Sequence, residues 1–169
     1  MKKILMILAA ENFRDEEYSI PRKYWESQGA DVITASTDSF SRGVLGTEVN
    51  NDFLLDEVSE DLFDGIFFVG GAGCMDLEEN EDAKTLAEEF VKAGKVSGAI
   101  CAAPRLFLAW GILKGKKCTG WNGDNEFSKL AEKAKAIFTG ESCTRDGKIV
   151  TADGPDSAAE CAEEYWSVL

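Results

Sequence analysis

Short apolar runs, each about the length of one strand, recur along the chain and alternate with segments of helical periodicity. The first, Lys3–Ala9, is almost continuously apolar, as expected for a strand that is buried on both faces of a parallel sheet. Three further runs occupy Asp31–Ser36, Gly65–Val69 and the stretch from Val96 to Cys101. The segments between them, such as 16–28 and 81–93, carry apolar side chains at helical spacing. This alternation predicts an α/β sandwich with a parallel or mostly parallel central sheet.

Two turn-rich segments add antiparallel pieces to this scheme. Between Ser39 and Glu57, glycine and asparagine residues punctuate short β-like stretches, which predicts a small β-hairpin excursion. Near the C-terminus, Asp146-Gly147 is a hairpin turn signal between the strands Ser142–Thr144 and Lys148–Thr151. No repeat, low-complexity tract or linker interrupts the pattern, so residues 1–169 are predicted to form one domain.

The charge of the chain limits its classes of partner. It carries 18 Lys and Arg against 31 Asp and Glu, a formal net charge of −13. Such a surface repels nucleic acids and anionic membranes, so neither is expected as a partner. The apolar N-terminal run is too short for a membrane span and is interpreted as a strand rather than a signal peptide.

Histidine is absent, which excludes several kinds of site. The chain cannot perform Ser-His-Asp or Cys-His catalysis by itself, and it lacks the commonest zinc ligand. Its five cysteines show no CxxC spacing, so neither a metal nor another cofactor is predicted. Scattered, unpaired cysteines are typical of a reducing compartment, so the expected location is cytoplasmic.

The stretch VSGAICAAP, residues 96–104, is the strongest candidate for a reactive site. It ends an apolar run in Cys101 and places small residues on both sides, as a sharp strand-to-helix turn requires. Pro104 suits the first turn of a helix. The pattern predicts that Cys101 lies at a helix N-terminus, where the dipole lowers the pKa of the thiol. The alternative is a buried cysteine that acts only as a small hydrophobic residue.

Two other segments directly follow predicted strands, so they are expected at the same edge of the sheet. Ligands of open α/β sheets gather at this edge, at the carboxyl ends of the strands. The Gly70–Gly73 loop can aim backbone N–H groups at an oxyanion, together with the amide of Ala102. The Glu11–Glu17 loop brings carboxylates, which can act as a general base or, if buried, stay protonated and donate a hydrogen bond. The alternatives are an ordinary glycine turn and acidic residues that favour a helix start.

These segments together resemble the ThiJ/PfpI superfamily, which has a class I glutamine-amidotransferase-like fold. Phe13, Asp15, Glu17 and Pro21 match its F-x-D-x-E-x-x-x-P pattern. The other matches are KKILMILA at the first strand, FDGIFFVGG (Phe63–Gly71), the AICAAP nucleophile elbow (Ala99–Pro104) and DGKIVTADGPDSA (Asp146–Ala158). The resemblance implies a three-layer, flavodoxin-like sandwich and a homodimer. Its members include the parkinsonism-associated deglycase and PfpI-type intracellular proteases.

The resemblance also implies roles for individual residues. Cys101 matches the reactive cysteine of the family, held in a strained backbone conformation, and Glu17 matches the glutamate that hydrogen-bonds it. Gly71 and Ala102 match the backbone donors of oxyanion type. The implied partner is a small electrophilic substrate or an oxidant.

This sequence departs from the family pattern at three positions. Ala102 stands where PfpI-type proteases have a histidine directly after the cysteine, and Trp121 stands in the region where glyoxalase or deglycase members carry one. Val69 replaces the proline before the two glycines. A protease mechanism of the Cys-His type is therefore not expected.

Four further residues are candidates for the wall of the site. Arg14 could attract an anionic substrate or lie solvated at the surface, and Trp121 could wall an apolar pocket or pack in the core. Cys74 could resolve a sulfenic acid on Cys101 into a disulfide, or be an incidental loop cysteine. Gly70 is the fourth, as the first residue of the glycine pair.

Three functions fit these observations. The first is a cysteine-dependent enzyme that acts on small electrophiles such as 2-oxoaldehydes or their adducts. The second is a non-enzymatic redox sensor or stress-response protein that works through oxidation of Cys101. The third is a relative that kept the fold and lost the chemistry.

Overall fold

Twelve strands and five α-helices follow one another along residues 1–169 in the computed structural model. The strands are β1 (Lys3–Ile7), β2 (Glu11–Phe13), β3 (Asp31–Ser36), β4 (Phe40–Gly43), β5 (Glu48–Asn50), β6 (Phe53–Leu54), β7 (Gly65–Phe68), β8 (Val96–Ile100), β9 (Lys117–Cys118), β10 (Ile137–Phe138), β11 (Cys143–Asp146) and β12 (Ile149–Ala152). The helices are α1 (Asp15–Ser27), α2 (Glu81–Lys92), α3 (Pro104–Ala109), α4 (Phe127–Lys133) and α5 (Ala158–Ser167). Short 3-10 turns cover Leu55–Glu57, Glu60–Leu62, Ala72–Leu77 and Pro155–Ser157.

Seven strands form the central sheet, in the order β11-β12-β8-β7-β1-β3-β6. Every neighbouring pair is parallel except β11 and β12, which form the predicted C-terminal hairpin. Within it, β3-β1-β7-β8-β12 gives the 2-1-3-4-5 order of flavodoxin-like folds. The prediction of a mostly parallel, flavodoxin-like sheet is confirmed.

Two apolar cores lie on opposite faces of this sheet and complete the three layers. On one face, Trp25 of α1 and Tyr165 of α5 pack around Phe67 of β7, with ring centroids 4.7–5.7 Å apart. On the other face, Phe68 of β7 contacts Phe107 of α3 at 5.4 Å, in a core that also contains side chains of α2 and α4. Successive residues of β7 therefore supply the two cores, which explains why the buried strands read as continuous apolar runs.

Two local differences from the sequence prediction concern short strands. The segment Glu11–Glu17, which is predicted as a loop, contains β2. This strand pairs in parallel with β4 and extends the predicted β4–β5 hairpin to three strands. The stretch KCTGW predicts a short strand from Lys117 to Trp121. The structure has only β9 there, which pairs with β10 outside the central sheet. None of the helices combines the length and the apolar character needed to cross a bilayer.

Candidate active site

Cys101 lies immediately after β8, at the bend that leads into α3. Its φ of 62° is in the left-handed region, which non-glycine residues adopt only at a conformational cost. Two backbone hydrogen bonds hold the bend: Cys101 N–H donates to the Ala152 carbonyl at 2.9 Å, and its carbonyl accepts from Trp121 N–H at 2.8 Å. Pro104 is the first residue of α3, as the sequence predicted. The thiol is half-buried.

The glycine pair after β7 brings a second loop against this bend. A Cβ on Gly70 would lie 2.4 Å from Glu17 Oε2, 2.4 Å from the Ile100 carbonyl and 2.8 Å from Cys101 Cβ, so only glycine fits there. Gly71 has a φ of 96°, and the backbone N–H groups of Gly71 and Ala102 both act on the Cys101 sulfur. The backbone N–H groups of both residues therefore lie near the thiol, and their role as oxyanion donors stays a prediction.

Glu17 is the third residue of α1 and is completely buried beside Cys101. Neither of its carboxyl oxygens has a hydrogen-bond partner of good geometry. Burial raises the pKa of Glu17 to about 7, although the neighbouring Cys101 thiol, the Arg14 guanidinium and the Gly70 N–H act to lower it. A carboxyl group that titrates near neutral pH is suited to general acid–base work.

The pKa of the Cys101 thiol is raised to about 12, first by burial and second by the negative charge of Glu17. The N–H groups of Gly71 and Ala102 lower this pKa but do not outweigh the burial. The prediction of a lowered thiol pKa is therefore wrong, because burial and the charge of Glu17 outweigh the backbone N–H groups at the bend. A thiol with a pKa this high needs a base to lose its proton at neutral pH, and Glu17 is the carboxyl group beside it.

Asp15 has a structural task in this arrangement. It is 5% exposed, and its carboxylate accepts the backbone N–H groups of Leu45 at 2.7 Å and Thr47 at 2.8 Å. These bonds hold the tip of the β4–β5 hairpin, which includes Val44, against the start of α1. Burial acts to raise the pKa of Asp15, but the hydrogen bonds from Thr47 and Leu45 outweigh it and the pKa is lowered.

Asp15→Ala is expected to destabilise the protein by about 2–4 kcal/mol, because two partly buried N–H groups lose their acceptor. Urea unfolding measures this loss. Glu26→Ala is the matched control on the same helix, since the Glu26–Arg22 ion pair is partly exposed and the change should cost less than about 1 kcal/mol. Equal destabilisation by the two variants would contradict the role of Asp15.

A cavity of about 600 Å³ opens over Cys101 and Glu17. Gly71 also lines it, and the remaining walls are apolar side chains and two arginines: Arg14, Val44, Ala72, Met75, Ala102, Arg105, Trp121 and Pro155. Its size suits a small molecule. No group of three or more side chains of the metal-binding types converges anywhere in the structure.

Of the four residues that the sequence predicts for the wall of the site, two line the cavity and two do not. Arg14 and Trp121 line the cavity, and Trp121 is 42% exposed rather than a core residue. Gly70 lies beneath it, between Glu17 and Cys101. Cys74 is fully buried in the apolar core on the α3 side of the sheet, and burial raises the pKa of its thiol well above the usual value. A resolving role for Cys74 would require this core to open.

Sequence reasoning missed several walls of the cavity, of which Arg105 is the most informative. It is the second residue of the helix that follows the Cys101 bend, and that position was the available signal. Val44 and Pro155 come from distant loops, and nothing in the local sequence marks them.

Comparisons with known proteins match this chain to one family over nearly its whole length. A family model described as the DJ-1/PfpI family matches residues 2–167. An uncharacterised protein of Methanocaldococcus jannaschii is 35% identical over 92% of this chain and 77% of its own length. A protein of Pyrococcus abyssi named as a deglycase is 32% identical over 70% of this chain and 72% of its own length.

Solved structures give the same result. The ThiJ/PfpI domain protein from Brachyspira murdochii superposes with a TM-score of 0.93 at 31% identity, covering 98% of this chain and 95% of that one. Toxoplasma gondii DJ-1, in an oxidised form, superposes with a TM-score of 0.88 at 25% identity, covering 99% of this chain and 90% of that one.

Proposed function

The chain belongs to the DJ-1/PfpI family, and we propose that it is a cysteine-dependent enzyme that acts on small electrophilic carbonyl compounds. In this proposal Cys101 is the nucleophile and Glu17 is the group that moves its proton. The substrate class is that of 2-oxoaldehydes and their adducts, in a glyoxalase-like or deglycase-like reaction.

One observation carries the proposal: a strained cysteine and a buried, unpartnered glutamate meet at the floor of one cavity. An isolated buried carboxyl group without hydrogen bonds is costly to the fold, so its place beside the only thiol in the cavity wall favours a chemical task. The relatives named as deglycases support the same class of reaction.

The first chemical step follows from these positions. The Cys101 sulfur attacks the carbonyl carbon, the S–C bond forms, and the π electrons of the C=O bond move to its oxygen. The thiol proton passes to ionised Glu17, and the N–H groups of Gly71 and Ala102 stabilise the developing oxyanion. Protonated Glu17 is then the acid available for the next proton transfer. No histidine takes part, since the chain has none.

Consumption of methylglyoxal by the purified protein tests this proposal. We expect turnover that is proportional to protein concentration and absent in Cys101→Ala. Cys143→Ala is the matched control, because Cys143 is the other half-buried cysteine and lies outside the cavity. Loss of turnover in both variants, or in neither, would contradict the assignment of Cys101.

The same residues favour a second candidate function, a redox sensor or stress-response protein. Glu17 and the two backbone N–H groups surround the sulfur and could stabilise a sulfinate there. Mild treatment with hydrogen peroxide is then expected to add two oxygen atoms at Cys101 only, measured by intact mass and peptide mapping. Equal oxidation of all five cysteines would exclude a sensor of this kind.

We further propose a homodimer that functions in the cytoplasm. Apolar side chains at the hairpin tip, Val44 and Leu45, are 50% and 64% exposed beside the cavity and offer a contact surface. Sedimentation velocity measures the state directly, and Leu45→Glu is expected to weaken the association.

A further inference from the structure

Arg105 and Arg14 both line the cavity, but they use their hydrogen bonds differently. Arg14 donates to the Glu16 carboxylate through Nε at 2.9 Å and through Nη2 at 3.2 Å, so both of these donors have an acceptor. Arg105 uses Nη2 alone, which donates to both Asp124 carboxylate oxygens, at 2.8 and 2.9 Å, and to the Trp121 carbonyl at 3.2 Å. Its Nε is buried without an acceptor, and Nη1 makes no hydrogen bond.

The position of this guanidinium is fixed within the cavity wall. Arg105 is the second residue of α3, and its charged group lies 5.3 Å from the centre of the Trp121 ring. The Arg105 side chain is only 16% exposed. A cation held in this way, with Nη1 free to donate, is pre-organised for an anion.

The net charge of the protein and the apolar walls of the cavity both favour binding of an anion at this guanidinium. The chain has a net charge of −13, so an anionic substrate is repelled everywhere except near a local positive group. Apart from the two arginines, Glu17, Cys101 and Gly71, the cavity walls are apolar: Val44, Ala72, Met75, Ala102, Trp121 and Pro155. A planar guanidinium matches a carboxylate in shape and charge.

We propose that Arg105 is a specificity-determining residue that binds the carboxylate of the substrate. The cavity then favours electrophiles that carry a carboxylate, such as 2-oxo acids, over neutral electrophiles of the same size. This inference rests on the proposed function of Cys101, since the carboxylate is held while the sulfur attacks.

Alkylation of Cys101 by iodoacetate and by iodoacetamide tests the proposal. In both reactions the sulfur–carbon bond forms, the carbon–iodine bond breaks, iodide leaves and the thiol proton passes to Glu17 and from there to solvent. Only iodoacetate carries a carboxylate. Rates are measured by mass spectrometry in a Cys143→Ser background, because Cys143 is the other half-buried thiol.

We expect Arg105→Gln to slow alkylation by iodoacetate about tenfold and to change alkylation by iodoacetamide less than about twofold. Arg105→Lys keeps the charge and should retain part of the iodoacetate rate. Asp124→Asn removes the anion that competes for Arg105, so it should raise the iodoacetate rate.

The Asp124 variant separates this role from a structural one. If the Arg105–Asp124 ion pair served only to hold the loop, both Arg105→Gln and Asp124→Asn would break it and would shift the two rates in the same direction. An unchanged ratio of iodoacetate to iodoacetamide rates in Arg105→Gln overturns the inference and leaves the proposed function standing. A Cys101 that resists both reagents contradicts the proposed function and the inference with it.

Discussion

Glu17→Gln is expected to lower kcat/KM for methylglyoxal by about 10²–10⁴-fold at neutral pH, which is the usual contribution of a general base. Glutamine keeps the shape of the side chain but cannot accept the thiol proton. Burial is the largest cause of the raised pKa of Cys101 and persists in the variant, so the thiol stays protonated at neutral pH and has no base to take its proton. Initial rates over a range of methylglyoxal concentrations give the ratio.

Glu16→Gln provides the control for this substitution. Glu16 is adjacent in sequence but partly exposed and paired with Arg14, and it does not line the cavity. Its replacement should leave kcat/KM within about threefold of the wild-type value. If Glu17→Gln retained wild-type turnover, Glu17 could not be the group that moves the proton.

The buried carboxyl group of Glu17 is also expected to make stability depend on pH. Its pKa rises from 4.5 in the unfolded chain to about 7 in the folded protein, so the folded state favours the neutral form. The stability associated with this group is fully present below about pH 4.5 and is lost as the pH rises through 7. The difference of pKa corresponds to about 3 kcal/mol.

Glu17→Gln removes this titration. The free energy of unfolding of the wild type should therefore fall by about 3 kcal/mol relative to that of Glu17→Gln between about pH 4.5 and pH 8. Urea unfolding of both proteins at each pH gives the difference, in which the other titrating groups cancel. Parallel pH profiles for the two proteins would show that Glu17 titrates normally in the folded state.

Most of the fold could be predicted because the strands of the central sheet are buried on both faces. A run such as Ile4–Ala9 must alternate its side chains between two cores, and the helices between the runs must cover them. The short strands β2 and β9 could not be predicted in this way. They have two or three residues, and their pairing depends on partners that lie far away in the sequence.

The site was predictable to the extent that local sequence fixes it. Small residues around Cys101 indicate the bend, and the glycine pair indicates a close approach that Gly70 then makes to Glu17 and Cys101. The pKa of the thiol was mispredicted because it depends on burial and on the charge of Glu17, neither of which local sequence supplies. The proposed role of Arg105 could not be predicted from local sequence either, because it rests on the contacts of its guanidinium with Asp124 and Trp121.

We propose above all that Glu17 controls the reactivity of Cys101. The most direct measurement is the rate constant for alkylation of Cys101 by iodoacetamide across about pH 5–9, in the wild type and in Glu17→Gln. We expect the wild-type rate to rise with an apparent pKa near 7, and this rise to be absent in Glu17→Gln. Identical pH profiles in the two proteins would contradict it.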